Sequence, residues 1–255
     1  GTYVGADGLI HDAAVNLALY SEQFDNAVFS KVNSSVSANQ ATAPDGKQTA
    51  DKIQATGSPA YVSQALTLSS SKVYTISAYL KSDSANTWVR LGHDSSGSDA
   101  AWFDLQNGTI GTVNDDANQA NIENVGDGWY RCSIVIASGK GSAAANFVGL
   151  SSADGGTSGT GSESVFVWGF QIEETDPATM APTAYIHTTS QALAAPRFDH
   201  VSTTGNVTTN LLTFSEMLDN AAWLTLGSCG VTANAETAPD GTATAETITI
   251  NTLSD

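Results

Sequence analysis

Charge is scarce in this sequence, and it is one-sided. Only 14% of the 255 residues are charged, nine Lys or Arg against 26 Asp or Glu, for a formal net charge of -17. A surface so poor in cations repels phosphate backbones and anionic headgroups, which argues against nucleic acid and membrane as partners. Long apolar runs are missing as well. No stretch approaches the about 18 residues of a membrane-spanning helix. No basic-then-apolar leader stands at Gly1, where the chain opens as though inside something longer. The four histidines, His11, His93, His187 and His200, are scattered without metal-ligand spacing. There is no G-x-S-x-G nucleophile motif, and the Gly-rich run at Gly155 lacks the strand, Lys and helix of a phosphate loop. Adjacent Glu173 and Glu174, if on a strand, point to opposite faces and do not form a catalytic pair. Nothing in the chain supports catalysis, and the expectation is a protein that is not an enzyme.

What is abundant is Ser, Thr, Ala, Gly and Asn, with a normal 41% of apolar residues. That mixture suits short strands and turns and is poor material for long helices. One sentence of the sequence is also written twice. "NLALYSEQFDNAVF" from Asn16 returns as "NLLTFSEMLDNAAW" from Asn210, so that Ser21 and Glu22 match Ser215 and Glu216, Asp25 matches Asp219, and Phe29 meets Trp223. After one extra residue in the second copy, "VSAN" from Val36 aligns with "VTAN" from Val231, "TAPDG" from Thr42 with "TAPDG" from Thr237, and Ile53 with Ile248. This spacing is too long for a solenoid unit and right for a domain plus a linker. The expected organisation is an N-terminal connector over 1–15, a domain over 16–188, a linker over 189–209, and over 210–255 the start of an incomplete second copy. Cys132 and Cys229 fall on opposite sides of the boundary, so two free thiols packed as small apolar side chains are expected.

Strand signals fill the first domain. "VYTISAYLK" from Val73, "TWVRLG" from Thr87 and "WYRCSIVIA" from Trp129 alternate, and "SVFVWGFQIEE" from Ser164 is rich in aromatic and β-branched residues. Turn chemistry separates them: "NG" at Asn107, "DG" at Asp127, and "SSADGGTSGTGSES" from Ser151 as a long flexible loop. Short antiparallel strands with such turns predict an all-β fold, an antiparallel β-sandwich of jelly-roll type.

Strand parity separates core from surface. In "VFVWGFQI" it places Phe166, Trp168, Phe170 and Ile172 together on the core face. In "WYRCSIVI" it turns Tyr130, Cys132, Ile134 and Ile136 inward and Trp129 and Arg131 outward. In "TWVRLG" and "AWFDLQ" it buries Val89, Leu91, Phe103 and Leu105, leaving Trp88, Arg90, Trp102 and Asp104 on the outer face with His93 beside them. If the two strands are neighbours, two Trp rings and two charges make a platform for a sugar, whose C–H face stacks on an aromatic ring while polar groups take up its hydroxyls. The other outcome, commoner for large apolar surfaces, is that a loop or a neighbouring chain covers the Trp residues. Asp45 in "APDG", with Asp51 behind it, offers oxygen ligands to a structural calcium ion; turn formation is the commoner use of such Asp residues. No other cofactor is expected.

The succession "ADGLI", "NLALYSEQFDNAVFSK", "TAPDGKQTADKI", "VYTISAYLKS", "FDLQNGTIGT", "VGDGWYRCSI", "VFVWGFQIEE", "PTAYIHTT" and "APRFD" resembles the repeated, carbohydrate-binding-module-like domains of tailed-phage structural proteins found in tail fibres, tail spikes and head fibres. The resemblance covers nearly the whole chain and rests on the order of the motifs. It implies a jelly-roll sandwich of the lectin type, strung in tandem on the outside of a virion, often as a homo-oligomer beside other virion subunits. It carries no binding residues across, since "GWYR" and "VWGFQIEE" are signatures of the fold. The expected function is therefore a non-enzymatic, extracellular virion surface protein that binds host-surface or environmental polysaccharide. The alternatives are an architectural virion module without a ligand and an accessory sugar-binding module of a secreted polysaccharide-degrading enzyme. The partial copy leaves three alternatives: a chain that was cut, a remainder without fixed structure, or an extended arm packed on another subunit, which predicts that Leu211, Phe214 and Trp223 are covered.

Overall fold

Alternating apolar and small polar residues give strands throughout, and no helix occurs among the described residues. The computed structural model describes residues 2–4, 10–12, 14–83, 88–93, 99–114, 117–136, 143–157, 160–175, 180–194, 218–220, 223, 229–238 and 242–250. Two units result, one of Gly1–Val4 with Ile10–Arg197 and one of Gly5–Leu9 with Phe198–Asp255. In chain order the strands of the first are β1 (Thr2–Val4), β2 (Ile10–Asp12), β3 (Val15–Asn16), β4 (Ser30–Val32), β5 (Ser34–Ala41), β6 (Ala50–Ala55), β7 (Ala60–Thr67), β8 (Tyr74–Ser82), β9 (Trp88–His93), β10 (Ala100–Asp104), β11 (Thr109–Val113), β12 (Ala117–Gly126), β13 (Trp129–Ile136), β14 (Ala143–Ser151), β15 (Ser164–Glu174) and β16 (Leu193–Ala194). Those of the second are β17 (Cys229–Glu236) and β18 (Ala245–Ile250).

Twelve of these strands make two six-stranded antiparallel sheets, in the orders β11-β10-β9-β14-β7-β4 and β12-β13-β8-β15-β6-β5. The chain passes repeatedly from one sheet to the other, as in a jelly-roll sandwich. Between the sheets lies one core, with Val62, Val89, Leu91, Phe103, Val148 and Leu150 from the first sheet against Ile53, Ile76, Leu80, Cys132, Ile134, Val167, Phe170 and Ile172 from the second. Asp127 and Gly128, both at positive φ (51° and 76°), turn β12 into β13, as the "DG" signal requires. Both cysteines are free, and burial of Cys132 pushes its thiol pKa up.

The parity expected for β15 fails half-way along. Val165 and Val167 face the core, Phe166 and Trp168 face out, and beyond a bulge between Trp168 and Gln171 the core side is taken by Phe170 and Ile172. Gly169 makes the bulge: its φ is +63°, and a Cβ there would lie 2.9 Å from the Tyr79 ring. Trp168 is buried, but in a separate cluster on the outer face with Trp129, Ala43 and Ala50.

The repeated opening motif stitches the ends of the first unit together. Asn16, fully buried, donates to the carbonyls of Phe170 (3.0 Å) and Ile186 (2.8 Å) and accepts from the amides of Ala18 (3.0 Å) and Ile172 (3.1 Å). Ser21 Oγ meets Tyr185 Oη at 2.7 Å and accepts from the Thr188 amide at 2.8 Å. Tyr185 Oη also donates to Glu22 at 3.2 Å. The "DNA" turn is closed by the Phe29 amide on the Asn26 carbonyl (3.1 Å). Leu193–Ala194, inside the expected linker, pairs with Val15–Asn16.

The second unit repeats this local structure in detail. Val231 pairs with Ile248 as Val36 pairs with Ile53, and both hairpins carry a register shift beyond that pair. Asn234 (φ 52°) repeats the left-handed Asn39 (φ 56°). The Trp223 amide closes its turn on Asn220 at 2.9 Å, and Glu246 accepts from the Asp219 amide at 3.1 Å. Trp223 is half-buried. Leu211, Phe214, Asn210 and most of the linker lie outside the described residues.

Candidate functional site

β9 and β10 are neighbours, and their register sets Arg90 opposite Trp102 and Trp88 opposite Asp104. Four of the five residues expected to form a site thus share the outer face of the first sheet. The row continues through β14 and β7, because Arg90 is also opposite Gly149 and Gly149 opposite Tyr61. Flat side chains lie down on this face. Arg90 crosses Gly149, where a Cβ would meet Nε at 2.8 Å, and stacks 4.7 Å from the Phe147 ring; Trp88 lies over Gly111, where a Cβ would be 2.6 Å from the indole. Phe147 and Tyr61 complete the patch, with ring centroids 5.6 Å apart. Neither was found from the sequence, because Gln64 and Asn146 interrupt the apolar pattern of their strands. Both polar side chains face inward, where Gln64 binds the Leu19 backbone and Asn146 meets His93.

His93 does not belong to the patch. It shares the parity of Val89 and Leu91, is buried, and its Nδ1 lies 2.9 Å from Asn146 Oδ1. Asp104, half-buried, is used locally: it accepts from the amides of Gln106 (2.9 Å) and Asn107 (3.2 Å) and from the Asn107 side chain (2.7 Å), closing the "NG" turn. The platform is covered rather than open. Trp102 is 2% exposed and Arg90 1%, while Trp88 and Tyr61 stay half-buried. The loop after β14 does part of the covering, and its described residues are tied down: Gly156 accepts from Trp102 Nε1 (2.7 Å), Asp154 from the Thr112 amide (2.7 Å), and Ser151 Oγ lies 2.8 Å from the Ala153 carbonyl. Among the described residues Arg90 Nε and Nη1 have no hydrogen-bond partner, and burial lowers the pKa of the guanidinium.

The outer face of the second sheet has a related build. Arg131, turned outward as parity requires, lies 5.3 Å from the Tyr79 ring and donates to Ser77 Oγ at 3.3 Å, and its Nε has no partner among the described residues. Here too the Trp residues are anchored by what covers them: Trp129 Nε1 donates to the Thr42 carbonyl and Trp168 Nε1 to Thr49 Oγ1, both at 3.1 Å. Tyr185 tilts against Trp168 at 4.6 Å.

No family model matches the chain, and no curated protein matches it. Among solved structures it is similar to the enzymatically active domain of tailspike protein 4 of bacteriophage CBA120, at 12% identity and TM-score 0.38, over 62% of this chain and 21% of that one. It is similar also to the CBM22-1 xylan-binding domain of Xyn10C from Paenibacillus barcinonensis, at 16% identity and TM-score 0.35, over 64% of this chain and 94% of that one. A third is the carbohydrate-binding module CBM6cm-2 of Cellvibrio mixtus lichenase 5A, in complex with cellotriose, at 12% identity and TM-score 0.33, over 64% and 98%. At such identities and scores these likenesses carry no argument about what the chain binds.

The two carboxylates considered for calcium have separate tasks. Asp45 caps the Lys47 amide at 3.0 Å and pairs with its ammonium at 3.1 Å. Asp51, 1% exposed, accepts from the amides of Phe24 (2.7 Å) and Asn39 (2.9 Å). Burial raises its pKa to about 6, outweighing the backbone hydrogen bonds that favour the charged form. Among the described residues no three metal-binding side chains come together. Glu173 is buried and holds Thr183, whereas Glu174 faces solvent and pairs with Lys72, so the two do not act as a pair.

Proposed function

We propose that the sandwich is a non-enzymatic glycan-binding module, displayed on the outside of a virion as part of a fibre, spike or decoration subunit. One observation carries the binding: half-buried Trp88 and Tyr61 share a sheet face with Arg90, whose Nε and Nη1 have no acceptor among the described residues. Aromatic faces and unsatisfied donors together match a sugar, which presents both C–H faces and acceptor oxygens. Weak single sites are enough for attachment when many copies act at once. The virion setting is supported by the doubled opening motif, which suits modules strung in tandem.

Binding to a polysaccharide panel tests the proposal, and Trp88→Ala is expected to weaken the interaction. A second reading, an architectural module without a ligand, is favoured by the cover over Trp102 and Arg90. It requires that no glycan binds and that Trp88 is buried between subunits of the assembled particle.

A further inference from the structure

Arg90 is the one part of the Trp88 face that packing does not explain. Its Nε and Nη1 together carry three N–H donors and find no acceptor among the described residues. Among the described residues no carboxylate pairs with it: Asp104 is held by Gln106 and Asn107, and Asp154 by Thr112. The Phe147 ring offsets part of the cost of burying this cation, but donors left without acceptors remain destabilising, and an apolar side chain of similar length would fill the same space over Gly149 and Phe147 without that cost. An arginine in this position makes sense if its partner arrives from outside.

We infer that Arg90 receives the carboxylate of an acidic sugar, bound on the face it shares with Trp88 and Tyr61. This rests on the glycan-binding reading and narrows it to polysaccharides that contain a uronate or another carboxylated sugar. Nε and Nη1 present their hydrogens on different edges of the guanidinium, so they call for acceptors spread more widely than one carboxylate. A uronate places its carboxylate beside a ring oxygen and hydroxyls, and its C–H face meets the two rings. Admitting it requires breaking the Trp102 Nε1 bond to the Gly156 carbonyl, which would add the indole N–H to the donors available. The net charge of -17 opposes an anionic polymer at long range, while the Arg90 contact is short and desolvated. Binding therefore strengthens as salt is raised from low to physiological concentration, because screening acts mainly on the long-range repulsion.

Affinity electrophoresis of the full chain through gels containing polygalacturonate, neutral galactan or polyglutamate tests this. Retardation by polygalacturonate alone is expected. Arg90→Met should weaken it by about tenfold or more, the worth of charge-assisted hydrogen bonds, with an unfolding temperature equal to or above that of the wild type. A measurement that needs no variant is the unfolding temperature of the wild type, expected to rise with trigalacturonate and not with a neutral trisaccharide. Equal retardation by galactan, lost in Trp88→Ala, overturns the acidic-sugar inference and leaves glycan binding intact. Equal retardation by polyglutamate, or polygalacturonate binding that survives Arg90→Met, also overturns it. No retardation by any polysaccharide, neutral ones included, defeats both.

Discussion

At the scale of single residues, the side chains that most resemble a motif in this sequence hold the fold together. Asn16 uses its whole amide in four hydrogen bonds that join the chain's opening to β15 and the segment after it. Asn16→Ala should therefore lower stability by about 3 kcal/mol in urea unfolding, since it strands buried carbonyls as well as losing bonds. Asp51 gives a pH signature. Its pKa in the folded chain is raised from 3.8 to about 6, so the folded state holds the extra proton between those values. Stability from this group is present at acid pH and is lost as pH rises through about 6, by at most about 3 kcal/mol. Denaturant unfolding from pH 4 to 7 should show that fall, and Asp51→Asn should flatten it.

Among the elements, β15 and the loop before it show where the sequence can be read and where it cannot. Alternation located β8, β9 and β13 nearly to the residue, because each has an apolar face against the core, and aromatic and β-branched richness located β15. Strand parity misplaced Phe166 and Trp168, because a bulge inserts one residue and exchanges the two faces beyond it. Gly169→Ala puts a Cβ against Tyr79 at positive φ and should cost about 1–3 kcal/mol in thermal or urea unfolding. The Ser/Gly-rich loop carries no periodic signal, so nothing in its composition showed that it fastens onto Trp102. Trp102→Phe keeps the ring and removes the Nε1 bond to Gly156. Cleavage between residues 151 and 163 by a broad-specificity protease is expected to become faster, with little change elsewhere.

For the whole molecule, fold class was legible because composition, turn residues and strand periods agreed. The candidate site was legible only in part: parity brought Trp88, Arg90, Trp102 and Asp104 onto one face, as the register has them, but could not show what lies on top of them or that Phe147 and Tyr61 join them. The repeat was read as sequence, and its second copy keeps the pairing, the left-handed Asn and the turn of the first. What the central proposal requires is a sugar bound at the Trp88 face, and Trp88 is the residue to change, since Trp102→Ala would open a buried cavity and confuse stability with binding. The decisive measurement is binding of wild type and Trp88→Ala to a polysaccharide array, with unfolding temperatures recorded alongside. The expected result is that the wild type binds, and that Trp88→Ala stays folded while its affinity falls by about tenfold. Binding unchanged in folded Trp88→Ala would contradict the proposed face, and no binding to any polysaccharide would contradict the function.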